Sequence, residues 1–420
     1  METCRDHGVL GCCFAKHTFF AKTTTKHPMI TARLHITLPL LLLALVAGVP
    51  MAAAAEAPTI TVRKSDALNV AFSGIGGSDG AAVSKVVQND LGLAGWFALV
   101  QPGMASFTVS GTAAGGVLQG KVTKGNEVVL SKSYSGSPRV AAHKFVDDIV
   151  ETLTGHKGIA SSTIAFISNR SGRKEVYLAD YDGANGRQLT HDNGLSVSPA
   201  LSPDGRKLAY TGYQAGYADI YVIDLATGSR VRLVKFPGTN SGARFSPNGG
   251  QLACSVSKDG NPELYIVGLG GGARRLTRTR GCESSPAWSP DGGEIIYSSD
   301  EGGSPQLYRI GAGGGGGRMI PTGFGYCTEP SWSPDGQRLA FNVRSGGGFA
   351  IAVMDLGSGG GSGGGGARIV AQGENPVWGA DSRHLVYSTG STISLLDVPT
   401  GKSTPVVSGL GKVTEPTWSR

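Results

Sequence analysis

Short apolar stretches alternate with turn-forming residues throughout the second half of the chain. A stretch of large and small apolar residues leads into Ser-Pro-Asp-Gly, and a second stretch such as LAY, IIY or LAF leaves it. Because proline presets φ, and because aspartate and glycine accept tight turns, this phrase predicts two strands joined by a hairpin. A third apolar stretch, a Gly-bearing turn and a short segment such as RQLT or RRLT predict two further strands.

This four-strand unit recurs along the chain. Its copies are marked by the residue that follows the first strand, at Ser202, Ser246, Ser289, Ser333, Gly379 and Ser419. A repeat of about 40–45 residues with four short strands predicts a β-propeller, and six third strands predict six blades. The first unit lacks an inner strand, whereas the chain ends on an inner strand without a unit. We therefore expect residues 416–419 to lie beside Ile164 and to close the ring.

Two residue types recur at fixed positions of the unit, and each leaves a choice between a structural and a binding role. The repeated tryptophans predict packing between blades, with an aromatic binding cage as the alternative; they are Trp288, Trp332, Trp378 and Trp418. The repeated turn aspartates predict turn formation, with metal binding as the alternative; they are Asp204, Asp291 and Asp335.

Residues 56–157 carry no repeat and predict a small α/β domain before the propeller at 158–420. Strands are expected at 59–63, 68–72, 96–100, 107–111, 117–123 and 128–134. Ser78 is placed to cap a first helix, Pro138 to begin a second helix and Gly155 to end it. The predicted fold class is mainly β, a six-bladed β-propeller preceded by a small α/β domain.

Residues 1–55 predict an N-terminal extension and a secretory signal peptide. Arg33 precedes an apolar run at 36–49, and three alanines at 53–55 offer a small-residue cleavage site. The run is shorter than the roughly 20 residues that span a bilayer. We expect cleavage near Ala55, a mature chain that begins at Glu56 and a soluble exported product, with a retained membrane anchor as the alternative. Met29 is an alternative start to Met1.

Composition and charge exclude several classes of protein. The 66 glycines among 420 residues disfavour a mostly helical fold. The net charge of +7 comes without a long basic run, which gives no indication of nucleic-acid binding. Cys254, Cys282 and Cys327 fit no zinc motif; Cys282 and Cys327 fall in corresponding loops, where free thiols are favoured over a disulfide.

The sequence offers few candidates for catalysis. Residues 74–80 read GIGGSDG, similar to a dinucleotide loop or to a serine-hydrolase elbow, but the surrounding elements of either fold are missing. Four histidines follow the predicted cleavage site, at His143, His156, His191 and His384, none beside a convincing nucleophile. We therefore expect neither enzymatic activity nor a cofactor or metal.

The order of these parts resembles the TolB family, periplasmic components of the Tol-Pal envelope system. Two local stretches add to the resemblance, NDLGLAGWF at 89–97 and AAHKF at 141–145 followed by LTG at 153–155. The resemblance implies a periplasmic, non-catalytic binding protein that supports outer-membrane integrity and constriction at cell division. It implies that one propeller face docks the peptidoglycan-associated lipoprotein Pal. It also implies that the segment after signal cleavage, including Glu56, Thr59 and Val62, contacts TolA.

The candidate partner site lies in the loops that enter the inner strands. The family's lipoprotein contacts map onto Thr239, Asn240, Gly242 and Ser284, although this loop lacks the histidine that relatives often carry. Four further residues suggest an acidic ring that attracts a partly basic partner or a divalent cation; they are Glu283, Glu329, Glu374 and Glu415. The alternative is four solvated glutamates without a shared role.

Two other functions remain open. A polysaccharide lyase-like propeller enzyme gathers histidine, arginine and acidic residues around a channel metal, and the scarcity of histidine disfavours it. A carbohydrate-binding module would bind glycans without a lipoprotein partner.

Overall fold

A computed structural model describes residues 67–357 and 366–419. The predicted signal peptide, the strand expected at 59–63 and the candidate TolA contacts Glu56, Thr59 and Val62 lie outside these residues. In the part that is described, neither helix has the length and apolar character that a membrane span requires.

The first elements form a small α/β region. They are β1 (Leu68–Gly76), α1 (Gly80–Leu93), β2 (Phe97–Leu99), a short 3-10 turn (Pro102–Met104), β3 (Phe107–Ala114), β4 (Val117–Lys124), β5 (Glu127–Ser135) and α2 (Pro138–Thr154). The sheet order is β2-β1-β3-β4-β5, with β1 parallel to both of its neighbours and the other pairs antiparallel. The two helices pack against each other and bury Val87 and Leu91 with Phe145 and Ile149.

The two helix starts differ in how well the sequence predicts them. At α2, Ser137 accepts a hydrogen bond from the Val140 N–H, and Gly155 ends the helix with φ of 72°, which confirms the predicted limits. At α1, the prediction that Ser78 caps the helix is wrong. The helix begins at Gly80, and Asp79 at its N-cap turns its carboxylate to the Gly116 N–H instead, at 3.1 Å.

Six four-stranded antiparallel sheets form the propeller. Blade 1 contains β29 (Val413–Trp418), β6 (Thr163–Ser168), β7 (Glu175–Asp180) and β8 (Arg187–Gln188). Blade 2 contains β9 (Ser196–Leu201), β10 (Lys207–Gly212), β11 (Asp219–Asp224) and β12 (Arg230–Val234). Blade 3 contains β13 (Asn240–Phe245), β14 (Gln251–Val256), β15 (Glu263–Gly268) and β16 (Ala273–Arg275).

The remaining blades repeat this order. Blade 4 contains β17 (Glu283–Trp288), β18 (Glu294–Ser299), β19 (Gln306–Gly311) and β20 (Arg318–Met319). Blade 5 contains β21 (Cys327–Trp332), β22 (Arg338–Ser345), β23 (Gly348–Asp355) and β24 (Arg368–Gln372). Blade 6 contains β25 (Glu374–Trp378), β26 (His384–Ser388), β27 (Ile393–Asp397) and β28 (Lys402–Val407).

The C-terminal strand closes the ring as predicted. Strand β29 pairs antiparallel with β6, and Trp418 lies opposite Ile164 in the register. The Thr163 N–H also donates to Ser419 Oγ at 3.1 Å. Each inner strand contacts the inner strands of both neighbouring blades, so the six form a continuous ring around a channel.

The repeated tryptophans and aspartates have the structural roles that the sequence favours. All four tryptophan side chains are buried between blades, which confirms packing. In the turn of blade 2, Ser202 Oγ donates to Asp204 Oδ1 at 2.6 Å and accepts from the Lys207 N–H at 2.9 Å. The turns of blades 4 and 5 repeat this network with Asp291 and Asp335.

Candidate functional site

The propeller has two different faces because consecutive strands of each blade run antiparallel. Turns from first to second strand and hairpins from third to fourth strand lie on one face, and all other connections lie on the opposite face. The N-terminal region contacts the first face. Arg383, in the turn of blade 6, donates to the Gly95 carbonyl at 2.8 Å, and Arg139 pairs with Asp182, in the hairpin of blade 1, at 2.7 Å.

The opposite face, which we call the channel mouth, surrounds the beginning of the inner strands. It comprises the connections at 169–174, 189–195, 213–218, 235–239, 257–262, 276–282, 300–305, 320–326, 346–347, 373, 389–392 and 408–412, with the strand ends that adjoin them. Most of the partner residues expected from the sequence lie here.

Every inner strand bends at one equivalent residue of the channel mouth. These six residues have left-handed backbone with φ of 50° to 66°; they are Ser198, Gly242, Ser285, Glu329, Asn375 and Glu415. The pairing with the second strand shifts register at the same place in all six blades, as in a β-bulge. Left-handed backbone is unfavourable for residues other than glycine and gathers at functional sites. The sequence does not predict this conformation, because five of the six residues precede proline and a residue before proline is normally extended.

Two of these left-handed residues carry carboxylates that reach a neighbouring blade. Glu415 Oε2 accepts from the Ser198 N–H at 2.5 Å, and Glu329 Oε1 accepts from Ser285 Oγ at 2.7 Å. Burial raises the pKa of Glu415 above its usual range. The Glu329 charge acts in the same direction, whereas the Ser198 N–H, Lys174 and Arg244 oppose the rise.

The other two glutamates of the expected acidic ring occupy different positions. Glu283 is fully buried at the beginning of β17, where Thr279 Oγ1 and Ser299 Oγ donate to it at 2.7 Å and 2.8 Å. Glu374 is exposed at the beginning of β25. The four glutamates therefore do not form one ring of equivalent residues, because Glu283 and Glu374 lie at different distances along the chain from the repeated turn than Glu329 and Glu415 do.

The residues expected to contact the lipoprotein lie near one another at the entry to blades 3 and 4. Thr239 and Ser284 are half-buried, and Gly242 faces open space beyond its Cα. Asn240 is different, because its side chain is buried. Its amide donates to the Phe236 carbonyl at 2.8 Å and to Asp219 Oδ1 at 3.2 Å, so it fixes the loop beneath this surface.

Two of the four histidines and the glycine-rich loop make contacts within the fold. His143 and His384 are buried against Asp90 and Asp381, at 2.6 Å and 2.5 Å. The loop at 74–80 packs on β3, since a Cβ at Gly77 would lie 2.3 Å from the Ala113 carbonyl oxygen. Among the described residues, no three His, Cys, Asp or Glu side chains are grouped to hold a metal ion. Cys254, Cys282 and Cys327 are present as thiols.

Comparison with known proteins points to one family. A family model described as the TolB beta propeller domain matches residues 150–420. The chain is 34% identical over 215 residues to a protein TolB homolog of Chlorobium luteolum, and this match covers 41% of this chain and 49% of the relative. It is 34% identical over 175 residues to the Tol-Pal system protein TolB of Geobacter sulfurreducens, and this match covers 32% of this chain and 39% of the relative. The matches thus span about half or less of the curated relatives' length.

A solved structure matches more of the chain. The crystal structure of TolB from Acinetobacter baumannii superposes with a TM-score of 0.75 at 25% identity, and the match covers 84% of this chain and 96% of that chain. The similarity therefore includes the small α/β region as well as the propeller.

Proposed function

Because the chain belongs to the TolB beta-propeller family, we propose that it is a non-catalytic, periplasmic binding component of a Tol-Pal system. The name of the Geobacter relative as a Tol-Pal system protein supports this function. In this proposal the protein is exported by its signal peptide, supports outer-membrane integrity and takes part in constriction of the envelope at division.

The observation that carries the proposal is the ring of six left-handed residues at the channel mouth. Left-handed backbone repeats at this position in every blade and is strained in the five blades where the residue is not glycine, which is typical of a surface held ready for a ligand. The described part of the N-terminal region, from residue 67 onward, contacts the other face of the propeller and does not cover the channel mouth. The channel mouth is therefore the proposed docking site.

The proposed partner at the channel mouth is the peptidoglycan-associated lipoprotein Pal. Thr239, Gly242 and Ser284 would contact it, with Glu329 and Glu415 at the channel entrance. Asn240 and Glu283 would act by fixing the loops from below, because both side chains are buried. Glu374 is exposed and remains a candidate contact. The proposed partner of residues 56–62 is TolA.

A single substitution at the mouth tests the docking site. Ser284→Arg places a long charged side chain at the entry of blade 4, and we expect it to weaken binding to the soluble domain of Pal from the same bacterium by about tenfold or more, or 1.4 kcal/mol. The matched control is Ala226→Arg, on an exposed hairpin of the opposite face. Isothermal titration calorimetry gives both affinities, and thermal unfolding checks that both variants fold.

Two outcomes would contradict the proposal. If the wild-type protein does not bind Pal, the assigned function is wrong. If it binds Pal and the two arginine variants lose the same affinity, the docking site is wrong. Degradation of envelope glycans by the purified protein would instead support the lyase-like alternative, and glycan binding without Pal binding would support a carbohydrate-binding module.

A further inference from the structure

The exposed charges of the channel mouth are mainly positive. Eight exposed basic side chains lie on this face; they are Arg170, Arg173, Lys235, Lys258, Arg278, Arg280, Arg344 and Lys412. Three exposed acidic side chains lie on the same face; they are Asp259, Glu301 and Glu374. Glu329 and Glu415 are only half-exposed, and neighbouring blades hold their carboxylates through hydrogen bonds.

Six of the eight basic side chains have no partner among the described residues. Lys258 and Arg344 are already engaged, each 4.5 Å from an aromatic ring centre, those of Phe236 and Tyr326. The others form no side-chain hydrogen bond or ion pair with residues 67–357 and 366–419. We call these six the basic rim; they are Arg170, Arg173, Lys235, Arg278, Arg280 and Lys412.

Five of the six residues of the basic rim lie on two opposite sides of the channel, and the sixth, Lys235, lies on the connection into blade 3. Arg170, Arg173 and Lys412 belong to two connections of blade 1, and Asn169 joins these connections through hydrogen bonds with the Lys412 backbone at 2.7 Å and 3.3 Å. Arg278 and Arg280 lie on the connection into blade 4. In a ring of six blades, the first and the fourth face each other across the channel.

The connection into blade 4 is rigid, which holds its two arginines outward. Thr279, between them, turns inward: its N–H donates to Glu263 Oε1 at 2.9 Å and its hydroxyl donates to Glu283 Oε1 at 2.7 Å. Gly281 is packed so closely that a Cβ would lie 2.7 Å from the Glu301 nitrogen. The two arginines therefore reach solvent from a fixed backbone, a geometry suited to recognition of carboxylates.

We propose that the basic rim binds an acidic surface of the docked protein partner. The inference rests on the proposed docking function and adds the charge of the partner's surface. That charge is negative, whereas the sequence led us to expect a partly basic partner. Unpaired surface charges of one sign accelerate association with a complementary surface. Tyr217, which is 71% exposed on the connection in blade 2, provides an aromatic anchor of the kind enriched in protein interfaces.

Charge reversal of the rim separates this inference from the docking function. We expect the double variant Arg278→Glu with Arg280→Glu to lower the association rate with soluble Pal about tenfold and to reduce its dependence on salt. The conservative pair Arg278→Lys with Arg280→Lys retains the charge and should keep both properties close to wild type. The matched control reverses two exposed arginines away from the mouth, Arg206→Glu with Arg318→Glu. Stopped-flow measurements over a range of salt concentrations give the rates.

Each outcome identifies which proposal fails. If wild-type protein binds Pal and the Arg278 and Arg280 reversals change neither the rate nor its salt dependence, the basic rim has no such role, although the docking function stands. An equal loss in the Arg206 and Arg318 control also overturns the inference, because net charge alone would then explain it. If wild-type protein does not bind Pal, the docking function fails, and poly-L-glutamate then tests the basic rim alone. Binding of poly-L-glutamate that the Arg278 and Arg280 reversals abolish would support an acidic protein ligand. Absence of that binding would overturn the inference. Binding of lipopolysaccharide instead of either protein probe would assign the rim to a glycolipid.

Discussion

Glu263 and Glu283 meet at the seam between blades 3 and 4, and both side chains are fully buried. One oxygen of each is satisfied: Glu263 Oε1 pairs with Arg275 at 3.0 Å, and Glu283 Oε1 accepts from Thr279 and Ser299. No donor among the described residues reaches either Oε2. A proton shared between the two carboxyl groups would satisfy both atoms. Burial, followed by the Glu263 carboxylate, raises the pKa of Glu283 to about 7.

The equivalent seams of the neighbouring blades use a neutral partner instead. Ser196 Oγ donates to Glu175 at 3.4 Å, and the Asn240 amide donates to Asp219 at 3.2 Å. These pairs need no shared proton. The seam between blades 3 and 4 is therefore the one of these three whose hydrogen bonding depends on protonation of a carboxyl pair.

The carboxyl pair predicts a pH-dependent stability. The folded protein binds the Glu283 proton more tightly than the unfolded chain, so the stabilisation is complete below pH 4.5 and is lost as the pH rises to about 7. Glu283→Gln supplies a neutral donor in place of the shared proton. Between pH 4.5 and about 7 we expect the unfolding free energy of this variant to fall less than that of wild type, with a difference on the order of 2 kcal/mol. Urea unfolding at a series of pH values measures the difference. The exposed Glu301→Gln is the control, and parallel profiles for wild type and Glu283→Gln would refute a shared proton.

At the scale of single elements, the turn of blade 6 departs from the repeat for a packing reason. Blades 2, 3, 4 and 5 carry serine after the inner strand, whereas blade 6 carries Gly379. A Cβ at Gly379 would lie 2.3 Å from Cζ2 of Trp418, the buried aromatic of the closing strand β29. The indole therefore occupies the space in which the serine side chain would lie.

This contact predicts that restoring the repeat weakens the protein. We expect Gly379→Ser to lower the unfolding free energy by about 1–3 kcal/mol, because overpacking displaces Trp418 from its site. The matched control is Gly313→Ser, where an added Cβ meets no atom within 4 Å. Chemical denaturation followed by tryptophan fluorescence measures both variants. Equal stability of the Gly379 variant and wild type would show that β29 adapts without cost.

Sequence patterns predicted the elements that depend on local chemistry. The turns, the limits of α2 and the pairing of Trp418 with Ile164 follow from proline, glycine and repeat spacing. Three features required the three-dimensional arrangement. Asp79 rather than Ser78 is the N-cap of α1, and its carboxylate accepts from the Gly116 N–H in the turn between β3 and β4, a distant part of the chain. Five of the six left-handed residues precede proline, which hides their backbone conformation, and the basic rim draws on loops of separate blades.

At the scale of the whole molecule, a buried polar network joins the N-terminal region to blade 1. Asp90, in α1, accepts from Tyr181 of the propeller at 2.9 Å and pairs with His143 of α2 at 2.6 Å. Arg139 extends the network to Asp182 at 2.7 Å. Because Asp90 is fully buried, removal of its carboxylate leaves two polar partners without an acceptor. The network lies on the face opposite the channel mouth.

This separation of faces predicts that stability and partner binding respond independently. We expect Asp90→Ala to lower the unfolding free energy by about 1–3 kcal/mol for each of the two buried partners that lose their acceptor. Its affinity for soluble Pal, the proposed partner, should stay within about twofold of wild type when measured below the unfolding transition, a difference under 0.5 kcal/mol. Glu151→Ala, an exposed change on α2, is the control for helix substitution. A folded Asp90→Ala protein with reduced Pal affinity would show instead that the two faces are coupled through blade 1, whose inner strand carries Glu415 at the mouth.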